Sequence, residues 1–150
     1  MKCMKTTTMK GAVMAILLGS IFFSCKKEGS SKPACSISMT GLSGSYKLTA
    51  LQYKPGATAT PVDYLAYMDA CEKDDILILK SDGTYSTNDA GTACTPPETS
   101  SGTWQVSGNT LTSDGKLNGT IASYDCKTLV YYVDNAIVAG DRLTFTMSKQ

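Results

Sequence analysis

Short apolar runs separated by turn-forming residues dominate the chain from Ser43 onward. The last run shows the pattern most clearly, because Leu143, Phe145 and Met147 alternate with polar residues, as in a strand with one buried and one solvated face. The runs are rich in threonine, β-branched and tyrosine residues, and no segment of useful length has a helical period. The pattern therefore predicts an all-β domain.

Eight successive strands are predicted, each joined to the next by a connection that suits antiparallel neighbours. They comprise a strand at 45–53, hairpins at 75–89 and 102–115, and three further strands at 117–124, 128–134 and 142–148. Such a meander protects its edges best by closing into a barrel, and a two-sheet sandwich is the alternative. Apolar residues at three-residue spacing within 60–75 predict a short helical cap over one end of the barrel.

The first 24 residues differ from the rest of the chain. Lysines precede 13 uncharged residues, Gly11–Phe23, which is the layout of a secretory signal peptide and is too short to span a bilayer. Ser24 and Cys25 follow, and this pattern resembles the lipobox of bacterial lipoproteins, in which the signal peptide is removed and the cysteine is lipidated. We predict a signal peptide at 1–24, lipid attachment at Cys25 and a flexible tether over 25–40. An ordinary secreted protein with a spare thiol is the alternative.

Composition excludes several classes of function. Removal of the predicted signal peptide leaves 11 basic and 13 acidic residues, so the chain lacks the basic footprint of a nucleic-acid-binding protein. The chain has no histidine, which excludes His-based triads, His proton shuttles and His-containing zinc sites. A nucleophilic serine would need a lysine base, and no Ser-x-x-Lys occurs in a helical setting. We therefore predict a protein that is not an enzyme and uses no cofactor.

Acidic residues cluster in the segment CEKDD, Cys71–Asp75. Calcium takes six to eight oxygen ligands, but the spacing of an EF-hand loop is absent. A carboxylate pair for glycoside hydrolysis is conceivable, yet nothing in the sequence indicates a cleft or a raised pKa. Acidic residues at the start of a strand more often cap turns or face water, and we predict no metal site.

Four cysteines remain once Cys3 is removed with the signal peptide and Cys25 is lipidated, and an even number in an exported chain predicts two disulfides. Cys71 and Cys94 flank the first hairpin symmetrically, so they lie opposite each other. Cys35 and Cys126 both lie at the other end of the strands. A disulfide requires Cα atoms within about 7 Å, so we predict the pairs Cys71–Cys94 and Cys35–Cys126.

A set of motifs in fixed order suggests a family. The segments are LSGSYKL, CEKDD, DGTY, Cys94 and SGTWQVSGNTL, and together they cover roughly residues 41–148. This set resembles the lipocalin-like lipoproteins of Gram-negative bacteria. The resemblance implies an eight-stranded antiparallel up-and-down lipocalin-like barrel over 41–150. It also implies lipid anchoring at the outer membrane, facing the periplasm or the cell surface, and binding of a small apolar molecule.

A binding site is expected at the end of the barrel with the longest connections, away from the tether. Alternation along the strands predicts that the site is lined by Tyr46, Leu48, Leu77, Leu79, Trp104, Val106, Leu143, Phe145 and Met147. In the second strand, Ile76 and Ile78 fit the inward face as well as Leu77 and Leu79. Other aromatic residues, including Tyr85, Tyr131 and Tyr132, could also line a pocket. The alternative is a barrel filled by these side chains, with loops that contact a protein or glycan partner.

Overall fold

The computed structural model describes residues 35–97 and 99–150, so the predicted signal peptide, Cys25 and most of the predicted tether lie outside the described residues. The elements are α1 (Met39–Leu42), β1 (Gly44–Lys54), β2 (Val62–Asp63), a 3₁₀ turn (Leu65–Tyr67), β3 (Ile76–Leu79), β4 (Thr84–Asn88), β5 (Ser101–Ser107), β6 (Thr110–Ser113), β7 (Leu117–Tyr124), β8 (Thr128–Asp134) and β9 (Arg142–Lys149). Neither described helix is long and apolar enough to cross a membrane.

The strands form a closed antiparallel barrel. In the order β1, β3, β4, β5, β6, β7, β8, β9, each strand pairs with its neighbour, and β9 pairs back onto β1. The remaining strand, β2, forms only two residue pairs with β1, at Gln52 and Tyr53. The prediction of an all-β, eight-stranded up-and-down barrel is therefore confirmed, and the sandwich alternative is wrong. The helical cap is the single 3₁₀ turn after β2.

Cross-strand register explains which side chains fill the interior. Tyr131 of β8 pairs with Phe145 of β9, and their rings stack 4.7 Å apart at an interplanar angle of 5°. In β1 a register shift between Leu48 and Ala50 changes the alternation, so that Leu51 is also buried. A bulge of this kind adds one residue to a strand and bends it.

One end of the barrel is closed by α1. Leu42 is fully buried there, and its carbonyl oxygen accepts a hydrogen bond of 2.6 Å from the hydroxyl of Tyr46. The hydroxyl of Tyr124 donates to the Gly41 carbonyl oxygen, also at 2.6 Å. The helix includes Met39 and Thr40, which the sequence assigns to the tether. We refer to this end as the closed end.

We call the helix α1 the plug, and shortening its buried side chain is expected to destabilise the barrel. Leu42→Ala removes a fully buried side chain and leaves a cavity, which should lower the free energy of unfolding by about 3 kcal/mol. Urea denaturation followed by circular dichroism measures the change. Thr40→Ala, at an exposed position of the same helix, is the control and should shift the free energy by less than about 0.5 kcal/mol. Equal effects of the two substitutions would show that α1 does not close the core.

Both disulfides have the predicted pairing. Cys71 and Cys94 have Cα atoms 5.2 Å apart and connect the segments that precede β3 and follow β4. Cys35 and Cys126 have Cα atoms 5.3 Å apart and tie the segment before α1 to the β7–β8 turn. The second bond therefore fixes the plug to the barrel wall at the closed end.

Candidate functional site

The described part of the barrel contains an apolar cavity of about 150 Å³. It lies against the inner faces of β3 to β8 and is lined by Leu77, Leu79, Tyr85, Trp104, Leu111, Ser113, Leu117, Gly119, Leu129, Tyr131 and Val133. Most of these side chains are aliphatic or aromatic, and Ser113 and the tyrosine hydroxyls supply the polar groups. A lining of this composition favours an apolar molecule with few polar groups.

Three residues of the predicted lining reach the cavity: Leu77, Leu79 and Trp104. The register of β3 also resolves the ambiguity in that strand. Leu77 pairs with Tyr46, which is fully buried, so the leucines of β3 share its inward face and Ile76 and Ile78 lie on the other.

The other six predicted residues do not line the cavity. Tyr46, Leu48, Val106, Phe145 and Met147 pack in the hydrophobic core, and Leu143 pairs with Val133 on the same inward face. The reason is the distribution of side-chain size around the barrel. Large side chains of β1 and β9 fill their side together with Leu42, whereas the inward positions of β6 and β7 include Ser113 and Gly119, which leave space.

The cavity residues that the predicted lining omitted come mainly from β6, β7 and β8. Leu111, Leu129 and Val133 could have been found by the same alternation, because each lies on the inward face of a strand or hairpin that the sequence predicted. Tyr85 and Tyr131, considered among the aromatic candidates, do line the cavity. Tyr132 does not, because its ring lies on the outer face, 3.7 Å beneath the guanidinium of Arg142.

The interior of the cavity is uncharged. Burial raises the pKa of Tyr131 to about 12, so its phenol keeps its proton at physiological pH. Trp104 is only 4% exposed, and its indole nitrogen donates a hydrogen bond of 2.9 Å to the Lys80 carbonyl oxygen. These contacts fix the indole ring in the cavity wall.

Ser113 and Tyr85 give the cavity a polar edge, and Asp114 is hydrogen-bonded to Tyr85 there. The hydroxyl of Tyr85 donates a hydrogen bond of 2.8 Å to Oδ2 of Asp114, and Oδ1 accepts the Thr103 N–H at 2.8 Å. The bond from the Thr103 backbone, followed by that from Tyr85, holds the pKa of Asp114 below its usual value. Asp114 is therefore ionised at neutral pH.

The cavity is open at the end opposite α1. Leu117 lines the cavity and is 51% exposed, and it begins β7 at the end where β6 and β8 finish. Strand directions place this edge at the same end as segment 55–75 and the β8–β9 connection. We refer to it as the open end.

The β8–β9 connection at the open end is held by one buried carboxylate. Asp141 is 2% exposed and accepts hydrogen bonds from the backbone N–H groups of Ala136, Ile137 and Val138. Burial alone would raise the pKa of Asp141, but these donors outweigh it and hold the pKa below its usual value. The loop therefore has a fixed shape and presents Ile137 and Val138 to solvent.

Asp141→Asn is expected to lower the midpoint of thermal unfolding at pH 7 by more than about 5 °C, because the charged acceptor of three backbone N–H groups is lost. The folded-state pKa lies below the unfolded one, so the stabilisation is present above the unfolded pKa of about 4. It disappears as pH falls through the folded pKa, and the two proteins should then converge. Thermal scans from pH 7 to pH 2 measure this. Asp63→Asn, an exposed position, is the control, and a pH-independent difference for Asp141→Asn would contradict the explanation.

The acidic residues around CEKDD hold a loop in place. Oδ2 of Asp74 accepts the Thr92 N–H at 2.9 Å, and Oδ2 of Asp89 accepts the Cys94 N–H at 3.2 Å. Within residues 35–97 and 99–150, no three acidic or cysteine side chains are arranged to hold a metal ion. These contacts are those of acidic side chains that cap turns.

Residues 42–131 match a family model described as a lipocalin-like domain. The match covers more than half of the chain and includes every strand from β1 to β7 and part of β8. Comparisons with curated proteins and with solved structures give no match.

Proposed function

Because the chain belongs to the lipocalin-like domain family, we propose that its barrel binds a small apolar molecule in the cavity described above. The observation that carries this proposal is an apolar cavity inside a barrel that is closed at one end and open at the other. Buried space that is mostly apolar and has few polar partners favours an apolar occupant over water.

The volume of the cavity restricts the size of this molecule. An apolar cavity of about 150 Å³ holds a molecule the size of benzene, whereas pockets for drug-sized ligands span about 300–1,000 Å³. We therefore expect a compact ligand, or one whose compact apolar part enters while the rest lies outside the opening.

Titration of the full chain with toluene and indane tests the proposal. Trp104 is the only tryptophan and lies in the cavity wall, so its fluorescence should change saturably on binding. Ligand-observed NMR gives an independent reading. The absence of saturable binding by both methods would refute the proposed function for ligands of this size.

We also propose that the protein is an exported lipoprotein, anchored through acyl chains on Cys25 at the outer membrane. The sequence of the first 25 residues supports this, and two disulfides suit an oxidising compartment. Cys35 follows Cys25 by ten positions, and a chain of this length reaches at most about 35 Å when extended. Since Cys35 lies at the closed end, this anchor would direct the open end away from the membrane.

A second function, contact with a protein or glycan partner, is favoured by exposed side chains at the open end. Tyr67 is 79% exposed and its ring lies 6.1 Å from that of Tyr64, and Ile137 and Val138 are also exposed. Exposed aromatic residues of this kind are common in recognition surfaces. A glycan array probed with the wild-type protein and with Tyr67→Ala separates this function from ligand carriage. Binding that depends on Tyr67 would support the second function, and equal signals for both proteins would exclude glycan binding by this surface.

A further inference from the structure

The cavity offers no positive charge to a ligand. The described residues that line it include neither lysine nor arginine. A carboxylate that entered the cavity would lose its hydration without gaining a cationic partner, which is unfavourable unless the group becomes protonated. The interior therefore disfavours an acid in its ionised form.

The polar edge of the cavity carries a negative charge instead. The ring of Tyr85 lines the cavity, and its hydroxyl lies 2.8 Å from Oδ2 of Asp114. Asp114 is exposed, and a carboxylate has about four acceptor positions, of which Tyr85 and Thr103 occupy two. Asp114 can therefore accept further hydrogen bonds from a ligand whose apolar part lies in the cavity.

The charge distribution of the whole domain adds to the negative charge at this edge. Nine of the eleven acidic side chains of the described residues belong to the strand ends and connections of the open end, but only four of the eight basic ones do. Nine acidic and four basic side chains give this end a net formal charge of −5, and a field of this sign attracts cations and repels anions before they bind.

We infer that the cavity selects a small organic amine, with its apolar part in the cavity and its ammonium group at the opening beside Asp114, over a carboxylate of the same shape. This inference rests on the proposed function and specifies the class of ligand. The ammonium group stays partly hydrated at the exposed edge, so it avoids most of the desolvation that a charge in the interior would suffer.

Three compounds of nearly equal shape test the inference: benzylamine, benzyl alcohol and benzoate. With the full chain at low ionic strength, ligand-observed NMR should give the tightest binding for benzylamine, with benzoate at least about tenfold weaker. Sodium chloride at about 0.5 M should lower the ratio of benzylamine to benzoate affinity, because it screens exposed charges. An amine that binds no more tightly than the alcohol would overturn the inference and leave the proposed function intact. If none of the three compounds binds, the proposed function itself fails.

A pair of matched variants identifies the charge that causes the preference for the amine over benzoate. Asp114→Asn should reduce the ratio of amine to benzoate affinity toward one, whereas Asp63→Asn, an equal change of charge at an exposed position of β2, should leave it nearly unchanged. Equal ratios in the wild type and Asp114→Asn would contradict the role of Asp114. Should Asp114→Asn unfold, the salt dependence of the wild-type ratio remains a test of the same charge preference.

Discussion

Ser113→Phe is expected to abolish the binding of small apolar molecules while leaving the barrel folded. Ser113 lines the cavity, and it pairs in register with Trp104 on one side and Leu117 on the other. A phenylalanine ring at this position extends into the space that the ligand would occupy. Affinity for toluene should fall by at least about tenfold, or about 1.4 kcal/mol.

The adjacent position provides a matched control. Thr112 lies on the opposite face of the same strand, where its hydroxyl contacts the Asn118 side-chain oxygen at 2.8 Å. Thr112→Phe therefore adds the same ring outside the barrel and should leave affinity unchanged. Ligand-observed NMR is the appropriate measurement, because a phenylalanine beside Trp104 would itself alter the tryptophan fluorescence. Unchanged toluene affinity in a folded Ser113→Phe protein would show that the ligand binds elsewhere.

The strands could be predicted because their ends are marked by the sequence. β7 and β8 have the predicted bounds, 117–124 and 128–134, since turn residues separate clear apolar runs. The disulfide pairs followed from the symmetry of Cys71 and Cys94 about the first hairpin and from the direction of the strands, which fixes the end at which each connection lies. Features that depend only on local pattern and chain direction could therefore be predicted from the sequence.

The position of the cavity could not be predicted from the sequence in the same way. Alternation identifies which side chains point inward, but the empty volume depends on how their sizes combine around the barrel. Tyr46 and Phe145 point inward and fill their side of the core. Gly119 in β7 has no side chain and helps to leave the opposite side open. A glycine in a strand has no side chain to indicate a face, so alternation gives it no weight.

Two local departures from regular structure were also missed. The shift between Leu48 and Ala50 in β1 changes the inward residues by one position, and no residue there marks a bulge. The plug α1 is only four residues long, too short to show a helical period, and its stability comes from the burial of Leu42 and the hydroxyl bonds of Tyr46 and Tyr124. Tertiary contacts of this kind leave no pattern in the local sequence.

Cys25→Ala is expected to abolish lipid anchoring of the protein completely. In the proposed lipoprotein, the thiol of Cys25 carries a diacylglycerol, and each buried CH₂ contributes about 0.8 kcal/mol to membrane binding. Two chains hold a protein stably at a membrane, and the alanine variant lacks the thiol that would carry them. The variant should therefore appear in the soluble fraction, or accumulate as an unprocessed precursor of larger mass.

Cys3→Ala is the matched control, since Cys3 lies in the predicted signal peptide and is absent from the proposed mature protein. Cell fractionation with intact-mass measurement of each form gives the result, and Cys3→Ala should match the wild type in both location and mass. A Cys25→Ala protein with the membrane location and mass of the wild type would refute the anchor. Affinity for toluene, measured on the released Cys25→Ala protein, should equal that of the wild type, because all residues that line the cavity lie between Leu77 and Val133 in the sequence. Loss of the anchor and loss of the ligand are thus separable outcomes, and each tests a different half of the proposed function.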